Sequence, residues 1–211
     1  MLEDFHPAPL SGAWDSALLG PVAEINEQML ECLRLMAADD APDAPRLVTL
    51  LREDWRRLDL TAQRRLAACP YLLLDAGFAQ PRRWDWMASA AVMEATPRCA
   101  YFAGSSGIAL VRRTLVLAWH LARSNRVTAR VILGMNTRSA ERIAACRLTE
   151  LEALAELSPG WITPRWEQQP NVWRQLIGAG CRGQALLLRQ AQLRGLQLLA
   201  RASVAAGTPD S

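Results

Sequence analysis

Serine and histidine side chains are the first candidates for covalent or acid–base chemistry in this chain. Ser105 and Ser106 lie in the segment AGSSG, whose glycines are too close together for the nucleophile motif GxSxG. Both serines are predicted to cap the helix that follows. His120 has Arg113 and Arg123 as helical neighbours, so it lacks the carboxylate that orients a catalytic histidine. These residues do not form a catalytic set, and we expect a protein that is not an enzyme.

The cysteines do not have the spacing of a metal site. They stand singly, and the chain has only two histidines; the cysteines are Cys32, Cys69, Cys99, Cys146 and Cys181. A closed zinc site needs clustered soft ligands, usually in short-spaced pairs. The sequence also lacks the phosphate-loop motif GxxxxGK[ST]. We therefore expect no metal, no cofactor and reduced, mostly buried thiols.

The charged residues divide the chain into two parts. All 24 basic residues are arginines; residues 1–99 carry a net charge of −5 and residues 100–211 carry +8. This asymmetry predicts an acidic module over 1–99 and a basic module over 100–211, with one compact unit as the alternative. The basic half would attract a nucleic acid or an acidic protein, or it would neutralise acidic residues of its own chain or of a second copy.

Residues 136–157 contain the most specific pattern, two short amphipathic helices joined near 147–149. This pattern indicates a helix-turn-helix, although a generic helical hairpin has the same spacing. The second helix, TELEALAEL, is acidic, which is unfavourable next to phosphates. The candidate DNA-binding residues are therefore Arg138, Arg142 and Arg147.

The stretch 115–177 resembles the FlhD family of flagellar master-regulator subunits. The matching order is LVLAWHLAR, then LGMN (133–136), the hairpin with LT (148–149) and LA (154–155), the segment WITPRW (161–166), and a helix ending in LIG. The resemblance covers about 63 of the 211 residues. It implies a helical, dimer-forming protein that acts in transcription control with a zinc-containing partner subunit, which supplies much of the DNA contact.

Several residues are candidates for protein contacts. Tryptophan is enriched at interfaces, but the eight tryptophans could equally fill gaps between helices. The last helix, predicted over 183–203, is apolar around most of its circumference, which indicates either a central core helix or an oligomer contact. The candidate interface residues are Arg113, His120, Arg123, Trp161, Trp166, Gln190, Arg194, Gln197 and Arg201.

Helical periodicity runs through nearly the whole chain, so the fold class is predicted to be all-α, a multi-helix bundle with the hairpin in its C-terminal half. Helices are expected to begin at Gly20-Pro21 and at Ile108, and to span 46–58 and 170–177. The segment YLLLDAG (71–77) is expected to be a short buried helix. Residues 161–166 form the best extended segment.

The hydrophobic fraction of 51% predicts a folded chain, and the acidic, proline-containing start is not typical of a signal peptide. With no apolar run long enough for a membrane span, a cytoplasmic location without membrane contact is expected. The favoured function is a non-enzymatic bacterial regulator or adaptor of flagellar or secretion genes, a homodimer with a protein partner and with nucleic acid left open. The alternatives are a small helical enzyme, a ligand-binding protein with a Trp-lined pocket, or a structural subunit of a larger assembly.

Overall fold

The computed structural model describes residues 16–39, 44–88, 101–102, 104–157 and 159–205. The helices in these ranges are α1 Ser16–Ala38, α2 Arg46–Leu50, α3 Arg52–Arg56, α4 Leu60–Ala67, α5 Gly104–Ser124, α6 Arg126–Leu133, α7 Thr137–Ala145, α8 Leu148–Leu157, α9 Pro170–Arg182 and α10 Ala185–Ala205. Short 3₁₀ helices span Pro81–Ala88 and Pro159–Trp161. Strands β1 (Leu74–Asp75) and β2 (Thr163–Pro164) pair antiparallel. The predicted all-α class is confirmed.

One hydrophobic core joins the acidic and basic halves of the sequence. Helix α1 packs against α4 and α5, and α9 packs against α3 and α4. The rings of Trp55 and Trp173 lie 5.3 Å apart, and those of Tyr71 and Trp166 lie 5.9 Å apart. The buried cluster runs from Val22 to Leu199.

Local capping explains where several helices begin and end. The Asp59 carboxylate accepts the Ala62 amide of α4, and the Asn125 side chain accepts the Thr128 amide of α6. Gly134 ends α6 with a φ of 65°, in the left-handed region that glycine tolerates. Helix α7 begins after Asn136, whose side chain accepts the Ser139 amide.

Several predicted boundaries are wrong. Helix α1 begins before Gly20, so Pro21 lies inside it, and α5 begins at Gly104, which places Ser105 and Ser106 in its first turn. The predicted helix over 46–58 is interrupted at Leu51, which leaves α2 and α3 as separate short helices. Helix α9 continues through two glycines to Arg182.

The segment 71–77 is not helical; it is irregular apart from the two residues of β1. Its hydrogen-bonding groups pair with distant parts of the chain: the Leu73 amide donates to Asn26 Oδ1 and the Leu72 amide to the Ile132 carbonyl. The Leu73 carbonyl accepts the Arg165 amide. These partners replace the intrahelical hydrogen bonds that the apolar run would otherwise form. No helix of the described residues is both long and apolar enough to cross a bilayer.

Candidate functional site

The arginines of the hairpin lie beside acidic residues of the same chain. Arg142 Nε is 3.1 Å from Asp85 Oδ1, and Arg138 Nη2 is 4.0 Å from Asp85 Oδ2. Asp85 reaches them because its 3₁₀ helix packs on α7. Both arginine side chains are largely exposed, but the carboxylate lowers the positive potential that they present to a phosphate.

The third hairpin arginine, Arg147, takes part in helix capping. Its amide donates to Glu150 Oε2 at 2.7 Å, and its guanidinium donates to Glu150 Oε1 from Nε at 3.1 Å and from Nη2 at 3.0 Å. These hydrogen bonds lower the pKa of Glu150 below its ordinary value, led by the one from the Arg147 amide. The negative carboxylate also lies at the positive end of α8. The three candidate DNA-binding residues therefore do not form one unneutralised basic patch.

Three further candidates lie on the outer side of α5. Arg113, His120 and Arg123 are all exposed. The Arg123 guanidinium lies 4.7 Å from the centre of the Trp119 ring, and Trp119 Nε1 donates to the Cys146 carbonyl. This face is accessible, and its arginine-on-tryptophan contact is a cation–π arrangement.

The two candidate tryptophans fill space inside the molecule. Trp161 is 5% exposed, packs edge-on against Trp84, and is covered by the Arg83 guanidinium at 4.6 Å. Trp166 is partly buried against Tyr71. Trp161 is therefore inaccessible to a partner in this conformation, and Trp166 offers only part of its surface.

Arg165 is a buried residue that the sequence reasoning missed. Its guanidinium donates to the carbonyls of Leu72 and Leu133, and Nη1 lies 3.7 Å from Asp75 Oδ1. Burial lowers the pKa of Arg165, and Asp75 opposes that shift. The WITPRW segment contains this arginine, but its partners are 32 and 93 residues away. Such distances leave no local signal in the sequence.

Helix α10 packs against the hydrophobic core through one face, whose partly buried members are Leu188, Ala191, Leu196 and Leu198. Gly195 lies against Tyr71 and Trp166, where a Cβ would overlap the Tyr71 hydroxyl. Leu199 packs against Gly134 at the end of α6. Among the residues of this helix whose burial is described (185–203), only Gly195 and Leu199 are buried, so the alternative of a central core helix is wrong.

The outer face of α10 carries exposed leucines among arginines and glutamines. Leu186 is 68% exposed and Leu193 is 53% exposed. The polar residues of this face are Arg189, Gln190, Arg194, Gln197 and Arg201, all exposed. At 100° per residue, the two leucines project within 20° of each other, and Gly195 projects to the opposite side. The four interface candidates of this helix therefore lie along one side of an apolar centre that has no partner among the described residues, and Arg189 lies on its other side.

An open groove of about 410 Å³ lies between α3 and α9. It is lined mainly by polar side chains, including Asp54, Arg57, Arg174 and Arg182, and no tryptophan lines it. It thus differs from the Trp-lined pocket of the ligand-binding alternative.

The described thiols show no sign of a reactive centre. Burial raises the pKa of Cys69 and of Cys146 to about 12. The pKa of the exposed Cys181 is also raised, first by desolvation and then by Asp59 and Asp54. Within the described ranges, no three potential ligands among His, Cys, Asp and Glu come together to hold a metal ion. Cys99 lies outside them.

Comparison of the chain with protein-family models, curated proteins and solved structures found no match. The accessible surfaces of the molecule are therefore the basis on which a function is proposed.

Proposed function

We propose that this protein is a non-enzymatic bacterial regulator or adaptor that acts through protein–protein contacts made by α10. The observation that carries the proposal is the outer face of this helix, where Leu186 and Leu193 stand exposed among arginines. A large exposed apolar side chain is unremarkable alone, but a row of them framed by polar residues is typical of an interaction surface.

We further propose that the protein is a cytoplasmic homodimer that acts in the transcription control of flagellar or secretion genes. The FlhD-like order of residues 115–177 supports this part. Direct contact with DNA has less support, because Asp85 and Glu150 lie next to the hairpin arginines. Protein contacts are therefore the favoured mode of action.

The experiment is complementation of a gene deletion, with transcript levels as the readout. The test variant is L186S/L193S, and the matched control is L50S/L60S, which changes two exposed leucines on α2 and α4. We expect the test variant to leave the transcript changes of the deletion uncorrected, whereas the control restores them. A deletion without transcript changes, or full rescue by L186S/L193S, would contradict the proposal.

A further inference from the structure

We propose that the outer face of α10 binds an acidic amphipathic helix of a different protein, rather than a second copy of this chain. The inference deepens the proposed adaptor function and rests on it.

The shape of this face of α10 favours a single helix as its occupant. Leu186 and Leu193 are separated by two helical turns, about 10 Å along the axis at the usual rise per residue. Along the helix, Gln190 lies between the two leucines and Gln197 follows Leu193, so the apolar row is narrow. A row of this width fits the apolar stripe of one helix, as in helix-in-groove and coiled-coil contacts.

The charges of α9 and α10 favour an acidic partner. Residues 168–205, which include all of α9 and α10, contain five arginines and no acidic residue. Three of them, Arg189, Arg194 and Arg201, flank the leucine row on both sides. Charged residues that flank an apolar seam set partner choice, so the complementary helix carries Asp or Glu beside its apolar stripe.

The same arginines disfavour a symmetric α10–α10 contact. In a twofold arrangement each arginine lies near arginines of the other copy, and α10 offers no carboxylate to compensate. Like charges brought together at an interface cost binding free energy and suppress the wrong partner. The proposed homodimer would then form through another face of the molecule.

A charge-reversed copy of the full-length protein serves as the acidic probe. R189E/R194E/R201E keeps the leucine row and supplies acidic flanks, so wild-type protein should bind it. We expect multi-angle light scattering of the mixture to give a larger mass than either protein alone. The apparent Kd should rise roughly tenfold or more between low salt and 0.5 M salt, because screening weakens exposed ion pairs.

Two controls separate this contact from unspecific charge attraction. R46E/R57E/R130E introduces the same charge change at scattered exposed sites, and its mixture with wild-type protein should show no mass above that of either protein alone. L186S/L193S in the wild-type partner should remove the added mass of the mixture with the probe. Circular dichroism of each variant verifies that it is folded.

Three results would overturn the inference. The first is absence of association between wild type and the charge-reversed copy. The second is self-association of wild type that L186S/L193S removes, since a second copy would then be the occupant. The third is α10-dependent binding to phosphatidylglycerol vesicles without binding to the probe, which would identify a membrane surface instead. Because purified proteins are used, failure here is distinguishable from failure of the transcript readout.

Discussion

At the scale of single residues, Arg165 connects three stretches of the chain through hydrogen bonds. Its guanidinium donates to a carbonyl before β1 and to a carbonyl at the end of α6, and its own carbonyl accepts Trp173 Nε1 of α9. A buried cation that satisfies carbonyls from distant segments fixes their relative positions. Loss of the guanidinium leaves those carbonyls without donors.

We predict that Arg165→Met lowers the free energy of unfolding by about 1–3 kcal/mol for each of the two buried carbonyls that lose their donor. Urea denaturation followed by circular dichroism measures this value. Arg130→Met, at an exposed site on α6, should stay within about 0.5 kcal/mol of wild type. Equal effects of the two substitutions would contradict the buried network.

Gly195 determines how closely α10 packs against Tyr71 and Trp166. Tyr71 is fully buried, so its ring has no room to move away from an added methyl group. We predict that Gly195→Ala destabilises the protein by about 1–3 kcal/mol, as is usual for overpacking. Thermal and urea unfolding provide the measurement.

Gly20→Ala is the matched control for this substitution. Gly20 also lies inside a helix, but nothing lies within 4 Å of an added Cβ. Gly20→Ala should stabilise the protein by about 0.5–1 kcal/mol, because alanine has a higher helix propensity than glycine. The account of α10 docking fails if Gly195→Ala is also stabilising.

At the scale of elements, the start of α8 depends on one carboxylate. Glu150 accepts hydrogen bonds from Arg147, which lower its pKa. A carboxyl whose pKa is lowered on folding contributes stability at neutral pH, and that contribution is lost as the pH falls through the folded pKa.

We predict that Glu150→Gln lowers the melting temperature at pH 7 and that its difference from wild type narrows as the pH is lowered. Glu152→Gln on the same helix should show a smaller difference at pH 7. Scanning calorimetry across pH 3–7, the range that spans ordinary carboxyl titration, follows both variants. A pH-independent difference for Glu150→Gln would exclude the capping role.

Local signals account for some elements and fail at others for physical reasons. Asn125 and Gly134 mark both ends of α6, because a cap and a left-handed glycine act on adjacent residues. The apolar run 71–77 was expected to be helical, yet it is not, because its backbone groups form hydrogen bonds with Asn26, Ile132 and Arg165. The exposure of α10 also has no local signal, since apolar residues alone do not show whether a helix is covered.

The candidate site on the outer face of α10 was predicted only in part. The sequence identified Gln190, Arg194, Gln197 and Arg201 because they share one helical stripe. It missed Leu186 and Leu193 as exposed residues, because leucine is normally assigned to the core. It also missed Asp85 as the neighbour of Arg142, which is far away along the chain.

At the scale of the whole molecule, the two halves that differ in net charge share one core. Ion pairs join them as well: Arg174 of α9 lies 3.6 Å from Asp54 of α3. Part of the basic charge is therefore neutralised within the chain, at Asp54 and Asp85. The arginines of α10 are not part of these pairs, which leaves that helix as a basic surface.

We expect the purified protein to be a homodimer through a face other than α10. Light scattering at tens of micromolar, a range typical of weak association, should give twice the chain mass for wild type and for L186S/L193S alike. A monomer would remove the dimer from the proposed function, and a dimer that is lost in L186S/L193S would place its contact on α10.

Site-specific photo-cross-linking in living cells tests most directly whether α10 contacts another protein. A photoreactive amino acid replaces Leu193, and the control replaces Leu50, which has a similar exposure on α2. We predict a discrete cross-linked product with a different protein at position 193, absent at position 50 and lost when R189E/R194E/R201E is introduced. No product at position 193, or a product that contains only this chain, would contradict the account.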